Sequence, residues 1–261
     1  MSTSTFDDWS DAYEAMIDWP KRLANEGPFY RRVFERVSAR RVLDAACGTG
    51  HHAAMFHSWG LEVEGADISP AMIERCRREY GESATLRWAV RGFERPHPEP
   101  RSFDAAVCVG NSLALAGDEA AAAAAVREMV AAVRPGGMVV IGVLNLWRLA
   151  DGPANWQKCV RTVLPQGDSL IIKGIHRAGR MGYVDLVVTC LGSGGGASGS
   201  PAASSQPGMH SECVPFLGME KDQIEEMLRR AGAASVELSG DYQGRPFDRE
   251  RSTDLITVGA K

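Results

Sequence analysis

Two carboxylates and two glycines stand at spacings that could do chemistry. In Arg41-Val-Leu-Asp-Ala-Ala-Cys-Gly-Thr-Gly50 a short apolar run ends at Leu43, Asp44 follows where a buried strand would emerge, and Gly48 and Gly50 flank Thr49. Glycine suits such a turn because it tolerates positive φ and lets a ligand approach the backbone. His51 to Trp59 then reads as a helix whose first amide groups would face whatever lies above the turn. The second carboxylate, Asp67, lies 19 residues beyond Gly48 at the end of Leu61-Glu-Val-Glu-Gly-Ala66. An acid there can accept hydrogen bonds from both hydroxyls of a ribose. The pair describes a nucleoside site at the carboxyl end of a first strand.

Asp44 separates two ligand classes. A dinucleotide would bring a pyrophosphate to this turn, and a carboxylate beside it would repel. S-adenosyl-L-methionine brings an ammonium and a sulfonium, for which an acid is favourable. Gly48-x-Gly50-x-x-Ala53 nominally fits the dinucleotide pattern, so an NAD-dependent oxidoreductase is a competing reading, with Asp44 against it.

The elements that must position these residues fit a chain of 261 residues with 44% hydrophobic content, enough for one α/β domain with an elaboration. A net charge of −4 gives no electrostatic reason to expect nucleic acid or an anionic membrane. Six scattered cysteines (47, 76, 108, 159, 190 and 213), with no Cys-x-x-Cys pair, read as reduced residues and not as a metal site. The first residues lack a basic region followed by an apolar one, and no apolar run approaches a membrane span. A cytoplasmic protein acting on a small molecule, without membrane or nucleic-acid partners, is expected; the oligomeric state is left open.

Along the chain, Phe6 to Trp19 has helical spacing and stops at Pro20, and Gly27-Pro28 is expected to open a second helix through Val37. After the first βαβ unit, Ser69-Pro70 caps a helix over 71–80. Thr85–Val90 and Phe103–Val109 read as strands, Asp118 caps an alanine-rich helix, Arg134-Pro-Gly-Gly137 makes a sharp turn, and Met138–Leu144 is a fifth strand. The alternation argues for a parallel sheet with helices on both faces. Beyond Leu149 three strands without intervening helices (169–175, 182–191 and 211–217) suggest an antiparallel flap. Gly192 to Gly208 is almost entirely Gly, Ser, Ala and Pro and is expected to be a flexible loop tip. A helix over 221–231 and strands over 235–238 and 254–258 end the chain. The expected organisation is therefore 1–150, N-terminal helices plus a cofactor-binding core; 151–218, the flap with a disordered loop 192–208; and 219–261, a return to the core.

These motifs resemble the class I S-adenosylmethionine-dependent methyltransferases, whose Rossmann-like seven-stranded sheet has the order 3-2-1-4-5-7-6 with the seventh strand antiparallel. Phe103-Asp-Ala-Ala-Val-Cys-Val-Gly-Asn-Ser112, Arg134-Pro-Gly-Gly-Met-Val-Val-Ile141 and Gly240-Asp-Tyr-Gln-Gly-Arg-Pro-Phe247 look like the glycine/sarcosine N-methyltransferase branch and its bacterial relatives, which also carry a flap after the fifth strand. The resemblance implies that Asp44, Ala46, Gly48 and Gly50 form the floor under the methionine part of the cofactor. Arg22, 22 residues before Asp44, would hold its carboxylate. Asp67 would take the ribose, Ile68 and Met72 would pack on adenine, and Gly110 and Ser112 would face cofactor and acceptor. Tyr13 aligns near a family aromatic at the cofactor, though an ordinary helix tyrosine reads almost as well.

Three departures bear on substrate. The loop that usually offers Asp or Asn to the adenine amine reads Arg91-Gly92-Phe93, which leaves backbone groups of Gly92 and Phe93 for that contact. Leu144 stands where the family has an arginine for the glycine carboxylate. The flap strand that normally supplies a tyrosine reads Glu212-Cys-Val-Pro215. Methyl transfer from a sulfonium needs alignment and exclusion of water more than acid or base. Asn111 and Ser112 are therefore the candidates for orienting the acceptor, while His51 and His52 read as helix-start residues, and His176 and His210 lie on flap strands. The expected activity is methylation of a small-molecule amine nitrogen, with S-adenosyl-L-homocysteine as product. A small-molecule O-methyltransferase and a cofactor-binding regulatory protein without turnover are the alternatives. Poor activity on glycine and sarcosine is expected unless Arg148, Arg161, Arg177 or Arg245 replaces the missing arginine.

Overall fold

The computed structural model describes residues 4–191 and 209–261; the 192–208 segment expected to be a loop tip lies outside them. The described chain divides into two units, one built on Trp19–Arg148 and Leu217–Lys261, the other on Asp11–Asp18 and Leu149–Phe216.

The first unit is a seven-stranded sheet. Its strands are β1 (Arg41–Asp44), β2 (Glu62–Asp67), β3 (Leu86–Val90), β4 (Phe103–Cys108), β5 (Val133–Leu144), β10 (Ser235–Ser239) and β11 (Asp254–Ala260). They lie in the order β3-β2-β1-β4-β5-β11-β10, parallel from β3 to β5, with β11 antiparallel to β5 and β10 antiparallel to β11. This is the order expected from the sequence, β11 and β10 being the seventh and sixth strands of the pattern. The central strands are fully buried, as a sheet covered on both faces requires. On one face Val42, Val63, Val107, Val140 and Ile256 pack against Phe29, Tyr30, Val33 and Phe34 of α2 (Trp19–Arg36) and Phe56 of α3 (His51–Ser58). The N-termini of α4 (Pro70–Tyr80) and α5 (Glu119–Ala132) are closed as the sequence suggests. Ser69 Oγ accepts from Met72 N at 3.1 Å and Asp118 Oδ1 accepts from Ala121 N at 2.8 Å.

Three sequence expectations are corrected. α1 (Ser4–Met16) ends earlier than expected, and α2 begins at Trp19 and runs through Pro28. Pro20 falls in the first turn of α2, where its missing N–H is not needed. Pro28 is tolerated inside because buried Gly27 before it has no Cβ to crowd the ring. Arg134 to Gly137 lies within β5, which starts at Val133 and breaks register with β4 between Phe103 and Ala105. The second unit holds a fourth flap strand, β6 (Asn155–Leu164), beside β7 (Gly167–Ala178), β8 (Met181–Cys190) and β9 (Met209–Leu217). The order is β6-β7-β8-β9, with β6 and β8 antiparallel to β7. β6 escapes a pattern search because it is an edge strand exposed along most of its length and so shows no apolar alternation. Among the described residues no helix is long and apolar enough to cross a membrane.

Gly137 is a point of close approach. A Cβ there would sit 2.4 Å from the Asp104 carbonyl oxygen and 2.4 Å from Val133 Cγ1. Gly137→Ala is expected to cost about 1–3 kcal/mol through backbone displacement at the β4–β5 irregularity. Urea unfolding measures this, and a variant as stable as the parent would contradict the packing.

Candidate functional site

The site begins with the way β1 ends. Asp44 lies between Gly65 of β2 and Val107 of β4, and the chain then turns. Ala45 N donates to Val107 O, Cys47 N to Ala66 O and Gly50 N to Cys47 O, at 2.8–2.9 Å. Gly48 and Gly50 take φ of +53° and +87°. At Gly50 a side chain is excluded on a second ground, since a Cβ would lie 2.8 Å from Cys76 Sγ and 2.9 Å from the Trp88 ring. Asp67, at the end of β2, clamps the turn: its Oδ2 accepts from Gly48 N at 2.9 Å and its Oδ1 from Ser69 N at 3.0 Å. A carboxylate has about four lone-pair positions, so Asp67 can hold the turn and still accept from a ligand.

Asp44 is 1% exposed, and neither carboxylate oxygen has a hydrogen-bond partner among the described residues. Burial, and then the charge of Asp67, pushes its carboxyl up to about 7, against the weaker pull of the Ala46 amide and Arg22. The hydroxyl of Thr49, likewise 1% exposed, is also unsatisfied among the described residues. A buried, unpartnered acid beside a glycine turn is a demand for a cationic or hydrogen-donating ligand. S-adenosylmethionine, with its ammonium and sulfonium, meets that demand.

Arg22 lies on α2 at the same rim. Its Nε donates to Glu26 Oε1 at 2.8 Å, its guanidinium stands 5.1 Å over the Trp19 ring, and Nη2 would be 3.4 Å from a Cβ on Gly110. Gly110 (φ +72°) lies two residues after β4, so the arginine expected to bind a carboxylate is beside the turn that follows this strand. Behind it lies a buried polar network. Glu26, 4% exposed, receives His52 Nε2 at 2.8 Å and the Tyr30 hydroxyl at 3.4 Å. Burial would raise the Glu26 carboxyl, but the His52 bond and the Arg22 charge outweigh it and hold it below its usual range. Burial also lowers His52, against Glu26. The arrangement is an ionised Glu26 accepting from a neutral imidazole in the Nε2–H tautomer. His51 stacks on Trp19 at 4.1 Å and bonds the Tyr80 hydroxyl at 2.9 Å. The sequence offered no signal for Glu26, which reads as one more charge on an amphipathic helix.

The remaining expected residues divide. Ala46 is half-buried, Met72 is buried, and Ile68 is 45% exposed beside Asp67. Phe93 lines a small hollow with Met129 and Ala132 of α5. Arg91 reaches back to Glu64 at 2.6 Å, which His97 Nε2 also meets at 3.0 Å. In the same loop the Glu94 carboxylate lies over Gly92. Asn111 sits at φ +74°, its Oδ1 accepting from Leu144 N at 2.9 Å, and Ser112 Oγ donates to Val109 O at 2.9 Å. These groups shape the turn after β4, so Asn111 presents at most its amide NH2 to an acceptor. Tyr13, on α1, belongs to the second unit.

Folded Asp44 holds its proton up to about pH 7 while the unfolded chain releases it near 3.8. Its contribution to stability therefore falls as pH rises through that window. Asp44→Asn is expected to stabilise the ligand-free protein at pH 8 by about 2–4 kcal/mol and to flatten the pH dependence between 4 and 7. Denaturant titrations at pH 5 and 8 test this; a variant less stable than the parent at pH 8 would show that the ionised carboxylate is not a source of strain.

Residues 42–137 match the family model described as a methyltransferase domain. The glycine/sarcosine N-methyltransferase of Parasynechococcus marenigrum (strain WH8102) is 32% identical over 148 residues, covering 56% of this chain and 52% of that protein. The enzyme of the same name from Halorhodospira halochloris is 29% identical over 153 residues, 56% of this chain and 55% of that one. The matches thus span about half the length of these curated relatives. Among solved structures, a sugar N-methyltransferase from a Streptoalloteichus species superposes with a TM-score of 0.71 at 23% identity, covering 91% of this chain and 87% of that one, a likeness of fold. Sheet order, glycine turn and matched residues point the same way: residues 42–137 match a methyltransferase domain, and the chain is similar to glycine/sarcosine N-methyltransferases over about half of their length.

Proposed function

We propose that this protein transfers a methyl group from S-adenosyl-L-methionine to the nitrogen of a small-molecule amine. The observation that carries the reading is Asp44, a buried carboxylate without a partner among the described residues, at the glycine turn. When bound, the cofactor supplies an electrophilic methyl on a sulfonium. Asp44 and the amides after β1 face its cationic methionine part, and Arg22 grips its carboxylate with two parallel donors. Asp67 accepts from the ribose hydroxyls, Ile68 and Met72 flank adenine, and Glu94 with the Gly92 backbone receives the adenine amine. Gly110 leaves space over the reacting centre, and Asn111 and Ser112 fix the wall that orients the acceptor.

On the acceptor side, Leu144 offers no donor for a carboxylate. Of the four arginines that could replace the family's, Arg161 is held by Asp168, Arg177 by the Leu149 and Gly179 carbonyls and Asp151, and Arg245 by Asp241. Arg148 keeps a buried Nε without a partner among the described residues. Arg148 is thus the candidate among these four for holding a carboxylate, while Leu144 itself favours an acceptor that is not an α-amino acid.

Asp67→Ala is expected to weaken S-adenosylhomocysteine binding by about 1.5–3 kcal/mol, one to two decades in Kd, because ribose contacts and the Gly48 clamp are lost together. Calorimetry measures it. Unchanged affinity in a folded variant would overturn the cofactor assignment, and tight binding without turnover of any amine would favour a regulatory protein.

A further inference from the structure

The wall beside the acceptor is made by two cross-strand pairs. Leu144 of β5 pairs with Asp254 of β11, and Gly142 pairs with Ile256. A Cβ on Gly142 would lie 3.1 Å from the Tyr242 hydroxyl and 3.3 Å from Ile256 Cδ1, so Tyr242 covers that face of both strands. Side chains alternate along a strand, which puts Leu144 and Asp254 on the same face, one pair nearer the carboxyl end of β5. Because β11 runs against the parallel strands, its first residue arrives at the rim where they finish. The Leu144 amide is bound by Asn111, the residue after Gly110. The charges of Arg22 and Glu26 from α2 and of Arg148 after β5 all act on Asp254, and Arg22 acts on Asp44 as well. One Asp254 oxygen accepts from Thr253 Oγ1 at 2.9 Å, and among the described residues no arginine or lysine comes within ion-pair distance.

An acid therefore stands across from Leu144, a side chain with no donor for a carboxylate, so this wall favours a cation over an anion. Resting on the methyltransferase reading above, we propose that Asp254 receives the ammonium of the acceptor and acts as its base, selecting an alkylamine that has no carboxylate next to its nitrogen. An ammonium N–H bond breaks and its proton passes to the free Asp254 oxygen. The lone pair left on nitrogen attacks the methyl carbon as the carbon–sulfur bond breaks, its electron pair staying on sulfur, and the positive charge passes to the methylated nitrogen. Burial and Glu26 keep the Asp254 carboxyl above the usual carboxylate range, against Thr253, Arg148 and Arg22, which suits a group that must take up a proton. The titratable and charged groups facing it are Glu26 and Arg22 on α2, Arg148, and Tyr242 from the loop before β11.

The test follows methyl transfer from labelled cofactor to ethanolamine, N-methylethanolamine, a methyl glycoside of glucosamine, glycine and sarcosine. Parent, Asp254→Asn, Asp254→Glu and Asp254→Ser proteins are compared, with S-adenosylhomocysteine affinity and melting measured for each. Turnover of at least one monoamine in preference to glycine is expected. Asp254→Asn should lower its kcat/KM by roughly 100-fold and remove the acidic limb of the pH profile. Cofactor affinity should stay within about twofold, and Asp254→Glu should restore part of the rate. Asp254→Asn or Asp254→Ser within about threefold of the parent on the accepted amine would overturn this role alone, leaving amine methylation intact. Preference for glycine would also overturn it. No turnover of any amine despite tight cofactor binding would overturn the methyltransferase reading and this inference together.

Discussion

An ionisable group held out of water without a partner is the constraint on which this site depends. Asp44 is placed at the end of β1 by the register of three parallel strands and is closed from solvent by the turn it precedes. The ligand-free fold relieves it by keeping the proton, and a cationic ligand relieves it by neutralising the charge. Binding and folding therefore make opposite demands on the same carboxyl, a common tension between stability and function.

The neighbouring groups keep that tension local. Asp67 ties the glycine turn to the end of β2 through the Gly48 and Ser69 amides. Arg22 pairs with Glu26, which His52 and Tyr30 anchor from behind. The network fixes the Arg22 guanidinium against Glu26 and over the Trp19 ring. His52, which reads as a helix-start residue in the sequence, thus anchors Glu26, the partner of Arg22.

Sheet order and the glycine turn were legible because both are local: strand and helix periods alternate, and Asp44, Gly48, Gly50 and Asp67 lie within one βαβ unit. α2 differs from the expectation because Gly27-Pro28 has the pattern of a helix start, while the buried Gly27 lets the helix continue through the proline. β6 was missed since an exposed edge strand has no buried face to write a pattern. Glu26 and Asp254 were invisible for a different reason. Each gains its meaning from residues far away in sequence, Glu26 from His52 and Asp254 from Leu144, and a single charged residue carries no sign of such a partner.

The position of β11 has a consequence for how the chain is made. β5 ends at Leu144, and the strand that pairs with its outer edge starts at Asp254, about 110 residues later, with all of β6 to β9 in between. At synthesis rates of roughly 5–20 residues per second, that apolar edge waits on the order of 5–20 seconds for its neighbour. An unpaired edge of this kind templates association with other chains. The outer edge of β5 therefore stays exposed for most of the time that β6 to β9 are being made, and the arrival of β11 is what covers it.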